Sequence, residues 1–217
     1  MLSRTAASLY WIGCYMERAE FTTRLIEATI RLAALGGQTH GEQAWASALS
    51  VVGAPAMDCG REGYLARRFL GLDPDNPGSV RSCIRAARDN ARAARTALSR
   101  EGWEAINRVW LMISDRTSPG GIQASLNLVE ELKAELRGFE GALARMLRNE
   151  GYWFIRLGSI IERGDATARL LDVKYYLLLP EGQEVGGALD RDQWQTILHI
   201  VSAKTAYRHL YREQLRP

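Results

Sequence analysis

LYWIGCYMERAEFTTRLIEATI (residues 9–30) decides the fold. Leu9, Ile12, Met16, Ala19, Ile26 and Ile30 recur at spacings that fit one face of an α-helix. At 100° per residue, Tyr10, Gly13, Glu17, Glu20, Arg24 and Glu27 form a second stripe beside the apolar one. FIRLGSIIERGDATARLLDVKY (154–175) repeats this pattern 145 residues later. Gly13 falls on Gly158, Glu17-Arg18 on Glu162-Arg163, and Glu20 on Asp165. Thr22, Arg24, Leu25 and Glu27 fall on Thr167, Arg169, Leu170 and Asp172. At a slightly larger offset, Trp45, Leu49 and Ala54 match Trp194, Leu198 and Ala203.

The rest of the chain is helical in pattern. Helices are expected over about 3–35, 42–52, 61–70, 80–98, 100–113, 122–148, 152–179 and 191–215. Ser3, Ser79 and Ser99 are N-cap residues by type. The stops are Gly36-Gly37, the Gly53/Pro55 pair, LDPDNPGS (72–79), TSPGG (117–121), Gly151, Pro180 and EGQEVGG (181–187). No run alternates with period two between turns, so no sheet is expected. The expected fold is all-α, a helical bundle with an internal duplication inside a single domain, 1–217. The first repeat covers about 3–148 and the second about 151–217, the second being incomplete. A missing half-repeat uncovers apolar helix faces, and such faces seek partners. Self-association, or a partner on the last helix, is therefore expected.

The net charge is only +3. Lysine occurs at Lys133, Lys174 and Lys204 alone, so arginine carries nearly all the positive charge. Arginine is interleaved with Glu and Asp, which favours bidentate ion pairs over a basic nucleic-acid face. Cys14, Cys59 and Cys83 have no Cys-x-x-Cys spacing, so no disulfide framework or metal knuckle is expected. No stretch is long and apolar enough to span a membrane. The expected location is the cytoplasm, with neither nucleic acid nor membrane as a partner.

Three roles compete for the doubled Glu-Arg motif. If the two related helices pack about a twofold axis, Gly13 and Gly158 would let them approach closely. Their acids and arginines would then form a buried ion-pair network, since buried charges must be paired. This is the favoured reading. A polar cleft binding a carboxylate or peptide end through Arg18, Arg24, Arg163 and Arg169 is the second, with Tyr10 and Trp11 alongside. A di-metal site from Glu17, Glu20, Glu162 and Asp165 is the third. It lacks the Glu-x-x-His pairs of helical di-iron proteins, and the arginines would repel a cation. No metal or cofactor is expected. As general acid/base candidates Glu17 and Glu162 would need pKa values raised toward neutrality, and the arginines oppose this. His40 falls in a Gly-rich turn; His199 and His209 read as surface or capping residues. Cys14 reads as a small buried hydrophobe, and most of the six tryptophans as core.

LSRTAASLYWIGCYMERAE and YWFIRLGSIIERGDATARLLDVKYYLLLP resemble the bacterial alpha-E domain family. Tyr10-Trp11 with Glu17-Arg18-Ala19-Glu20, and Glu162-Arg163 with Thr167 to Asp172, carry the likeness, which extends over essentially the whole chain. Members are usually longer, and their motif often has Arg where Cys14 stands. The resemblance implies a place beside circularly permuted ATP-grasp ligase-like proteins and transglutaminase-like proteins, in a bacterial system that builds or modifies a peptide. The expected function is that of a non-catalytic helical accessory subunit. The alternative is an enzyme of amide or peptide chemistry that uses the paired Glu-Arg motifs.

Overall fold

The computed structural model describes residues 1–35, 38–60, 62–177 and 186–211; for 38, 39 and 175–177 it describes the backbone alone. The described residues form nine helices and no strand, so the all-α expectation holds. They are α1 (Ser3–Ala34), α2 (Gln38–Val51), α3 (Tyr64–Gly71), α4 (Val80–Ala93), α5 (Arg100–Ile113), α6 (Ile122–Arg145), α7 (Glu150–Leu177), α8 (Ala188–Ile200) and α9 (Lys204–Tyr211). The expected stops at Gly36-Gly37, at Pro180 and over 181–185 lie outside the described residues.

Contacts gather into two compact units. The first comprises Met1–Thr23 and Arg67–Asp165, the second Arg24–Ala66 and Ala166–Pro217. The divisions fall inside α1, α3 and α7.

In the first unit, α4, α5 and α6 pack in sequence. Their buried residues include Ile84, Ile106, Ile113, Leu136 and Phe139. The early turns of α1 add Leu9, Ile12, Met16 and Ala19, all buried as their spacing requires. Ser79 and Ser99 cap as expected, their Oγ atoms accepting from Ser82 N–H and Gly102 N–H. The turn at 72–79 closes on its own polar groups: Asn76 Nδ2 donates to Phe69 O, and Ser79 Oγ to Asp73 O. α4 is shorter than its alanine content suggests. It ends at Ala93, and a turn follows in which Ala97 N–H bonds Ala94 O, so the chain reverses before Ser99 starts α5. α6 stops at Arg145, which turns Met146 inward and leaves Leu147 exposed.

In the second unit Trp45 is fully buried, with Leu49, Ile26, Ile30, Leu170 and Ile197 also buried there. Gly63 has φ +61°, and a Cβ there would stand 2.1 Å from Trp45 Cε2. Only glycine suits both the backbone and the ring. Of the six tryptophans only Trp45 is buried; Trp11 and Trp153 are exposed, so the core reading of tryptophan fails for most of them. His40 lies inside α2, because that helix starts four residues earlier than expected and runs through Gly41.

The single last helix expected over 191–215 is two. α8 ends where Ser202 takes a left-handed φ of 59°. Ala203 N–H reaches back to Leu198 O at 2.8 Å, and Ser202 N–H to His199 O at 3.1 Å. This is the Schellman pattern, which closes a helix by satisfying its last carbonyls. α2 ends the same way: Ala54 N–H bonds Leu49 O at 2.9 Å and Gly53 N–H bonds Ser50 O at 3.0 Å, with Gly53 at φ +67°.

Candidate functional site

α1 and α7 cross within the first unit at two glycines. A Cβ on Gly13 would lie 2.0 Å from Ile155 O, and one on Gly158 2.1 Å from Tyr10 O. The helices touch backbone to backbone. Cys14 Sγ donates to Gly158 O and Ser159 Oγ to Gly13 O, both at 3.4 Å. One turn on, Arg18 Nε and Nη2 donate to Glu162 Oε1 and Oε2 at 2.6 and 2.9 Å. Arg163 Nε and Nη2 donate to Glu17 Oε1 and Oε2 at 2.7 and 2.8 Å. Adding 145 to the numbers on α1 converts each contact into its partner. The crossing is therefore a local twofold, and each Glu-Arg motif binds the other through two parallel forks, the strong geometry for this pair.

The two forks differ in setting. Glu17 is buried, and its carboxyl is held above its ordinary pKa by desolvation. The Arg163 fork opposes that shift, while Glu20 and Glu140 add to it. Burial thus outweighs the neighbouring arginine, the reverse of the expected balance. Arg18 and Arg163 are each pushed up, chiefly by the hydrogen bonds they donate to Glu162 and Glu17 respectively.

Glu140, on α6, was not anticipated. Its carboxylate lies 3.9 Å from Arg163 Nη2. The carboxylate oxygens of Glu17, Glu20 and Glu140 lie within 4.8 Å of one another. The acids brought together are therefore not the set read from sequence: Glu162 is engaged by Arg18, and Asp165 is exposed. Arg163 already supplies a cation to this cluster.

Tyr10 is half-buried, and its phenol is raised first by a hydrogen bond with Cys14 and then by burial. Trp11 is exposed, meets Tyr10 edge-on at 5.4 Å and stacks on Tyr15 at 5.5 Å. The Arg18 guanidinium lies 6.0 Å from the Tyr15 ring. Arg24 and Arg169 belong to the second unit, where Arg169 Nη1 would be 3.7 Å from a Cβ on Gly53. The four arginines of the polar-cleft reading are thus divided two and two between the units.

Several polar residues went unnoticed in the sequence. Arg67, 2% exposed, donates through Nη1 to Gly120 O at 2.9 Å and Ser125 Oγ at 2.6 Å, pinning the approach to α6. In the second unit buried Lys174 binds Asp190 Oδ1 at 2.5 Å and Gln193 Oε1 at 2.8 Å. Gly186 N–H donates to Asp190 Oδ2 at 2.9 Å. His199 Nε2 lies 3.6 Å from Glu27 Oε2, so His199 faces a buried acid that Arg31 also binds. The rarity of lysine in this chain was the one signal that could have singled out Lys174.

Cys14 and Cys83 are buried and Cys59 is half-buried. Burial raises all three thiols, Cys83 to about 12. A thiol reagent at pH 8 is expected to label Cys59 in the folded protein and all three after unfolding. Rapid native labelling of Cys14 would contradict its place as a small buried hydrophobe.

Among the described residues no helix is long and apolar enough to cross a membrane. Uncharacterized proteins Mb2597 of Mycobacterium bovis and MT2643 of Mycobacterium tuberculosis are each 25% identical over 187 residues, covering 74% of this chain. The chain spans about a fifth of the length of these curated relatives (21%). No solved structure matches it. The Alpha-E family, described as an alpha-helical domain with a conserved ER motif, matches residues 1–217. Glu17-Arg18 and Glu162-Arg163 are the two Glu-Arg dipeptides of the sequence, and the structure closes them on each other. This chain belongs to the Alpha-E family.

Proposed function

We propose that this protein is a non-catalytic helical interaction subunit, built on a duplicated motif and acting in the cytoplasm with an ATP-grasp ligase-like partner in bacterial peptide synthesis or modification. The observation that carries the reading is the reciprocal pairing of the two Glu-Arg motifs. Charges spent on holding two helices together are scaffold rather than machinery. The reading also needs a surface for the partner, and α7 offers one. Trp153, Leu157, Ile160 and Ile161 lie on one side of α7 and are 47–59% exposed. Leu157 and Ile161 stand 145 residues after Ile12 and Met16, which are 0% and 4% exposed in the same unit. The occupant this face fits is a partner helix presenting branched aliphatic side chains, which would give α7 the burial its counterpart on α1 already has. Co-purification with an ATP-grasp ligase-like protein tests the reading. A complex at micromolar concentration is expected, and Leu157→Glu with Ile161→Glu should weaken it at least tenfold. No complex with the unaltered chain would refute it.

The raised carboxyl of Glu17 favours a second reading, an acid/base enzyme of amide chemistry. Glu17→Gln separates the two. Lost turnover with partner binding and fold intact supports the enzyme; unchanged partner binding with no turnover in either protein supports the scaffold.

A further inference from the structure

Arg18, Arg31, Arg100, Arg108, Arg116 and Arg163 are each matched to a carboxylate. α4 is different. Arg81, Arg85, Arg88 and Arg92 fall within about 60° of arc at 100° per residue, and Arg95 continues the row two residues past the helix end. Among the described residues none of these five has a carboxylate partner. Arg81 Nη2 donates to Ser114 O at 2.6 Å, and Arg88 Nε to Asn107 Oδ1 at 2.8 Å. The Arg88 guanidinium lies 6.0 and 5.9 Å from the rings of Trp103 and Trp110, and that of Arg95 lies 5.5 Å from Trp103. Arg85 and Arg92 are exposed. Arg81 and Arg88 are thus held by α5 and the residue that follows it, while Arg85, Arg92 and, beside Trp103, Arg95 lie at the surface. Like charges three and four residues apart repel one another along a helix, and Asp89, exposed on the same helix, is the one acid in 80–98 to offset them.

We propose that this arginine row is a docking surface for an acidic amphipathic helix of a partner protein, with carboxylates at three- and four-residue spacing. The row advances about 5 Å per arginine at 1.5 Å rise per residue. Carboxylates on one face of a helix lying alongside advance at the same rate, so the two rows stay in register, as charged flanks do in paired helices. The guanidinium fork is shaped for carboxylates. Single-stranded nucleic acid would need open aromatic faces on which to stack bases, and here Arg88 and Arg95 already lie against the tryptophan rings. The surface uses different residues from the α7 face and stands whether or not the partner proposed above is correct.

The test uses a fluorescein-labelled helical peptide of four heptads with Glu at three- and four-residue spacing on one face. Its binding to the full chain is followed by anisotropy at low salt. Micromolar affinity is expected, falling as salt is raised. A peptide of the same composition with its Glu residues spread round the helix should bind at least tenfold more weakly. Arg85→Ala with Arg92→Ala should lose at least tenfold, whereas Arg137→Ala, on α6, should lose nothing. No binding, equal binding of the two peptides, equal binding by the Arg85/Arg92 variant, or tighter binding of an oligothymidylate would overturn the proposal.

Discussion

Gly13→Ala and Gly158→Ala are each expected to lower stability by about 3 kcal/mol or more, the upper end of overpacking effects. The added methyl would stand 2.0 or 2.1 Å from a carbonyl oxygen of the facing helix. A backbone oxygen cannot swing aside as a side chain can, so the helices must part. Parting them also stretches both Glu-Arg forks one turn away, and the two losses come together. Gly141 and Gly164 provide the control: both are helical, and a Cβ there meets nothing within 4 Å. Alanine at either site should stabilise by about 0.5–1 kcal/mol, because glycine weakens a helix interior. Thermal unfolding followed by circular dichroism should separate the two pairs by about 10 °C at 2–4 °C per kcal/mol. Four similar midpoints would mean that the crossing is looser than its geometry indicates.

Asp190→Ala should be of similar or greater size. Lys174 and Asp190 are 4% and 1% exposed, the most deeply buried ion pair described. Truncating the acid leaves a buried ammonium with Gln193 as its hydrogen-bond partner and the Trp194 ring at 5.5 Å, and charges orphaned in this way cost about 3–5 kcal/mol. Removing both charges together, as Lys174→Met with Asp190→Leu, should cost much less, because a buried pair is often replaceable by apolar residues. The pair also sets a pH dependence. Burial pushes the Asp190 carboxyl up, but Lys174 and the Gly186 N–H together pull it below its ordinary value. Its contribution is therefore present above the unfolded carboxylate pKa of about 4 and is lost as pH falls below that range. Urea midpoints of the unaltered chain and of Asp190→Ala should differ widely at pH 7 and converge toward pH 3. An equal gap at both pH values would remove Asp190 from the acid response.

Much of the central geometry was legible because it is periodic and repeated. The apolar stripe of α1 is buried residue for residue, and the glycines at 13 and 158 sit at the contact their common register implies. Partners brought in by other elements had no such signal. Glu140 joins Glu17 only because α6 passes beside α1, and no local spacing in α6 marks it. Lys174 and Asp190 lie sixteen residues apart on different helices, and each alone reads as a surface charge. The break at Ser202 was hidden by residue type: Gly53 announces the end of α2, whereas serine in the equivalent Schellman position looks like ordinary helix. The arginine row of α4 was obscured by averaging, since acids are interleaved along the chain as a whole but are nearly missing from 80–98, where Asp89 stands alone. Tryptophan misled because its spacing fits a core while its size and N–H also suit half-exposed sites, as at Trp103 and Trp110.

The central claim is that the two Glu-Arg motifs are each other's ligands. The direct measurement is a charge-swap cycle on the Arg18–Glu162 fork: Arg18→Glu, Glu162→Arg and the two combined, each unfolded in urea at pH 7. Each single change sets like charges face to face and should destabilise the chain. The combined change restores an opposed pair across the crossing, so the account predicts a favourable coupling of about 1 kcal/mol or more. Strictly additive losses, with coupling within about 0.5 kcal/mol of zero, would contradict it.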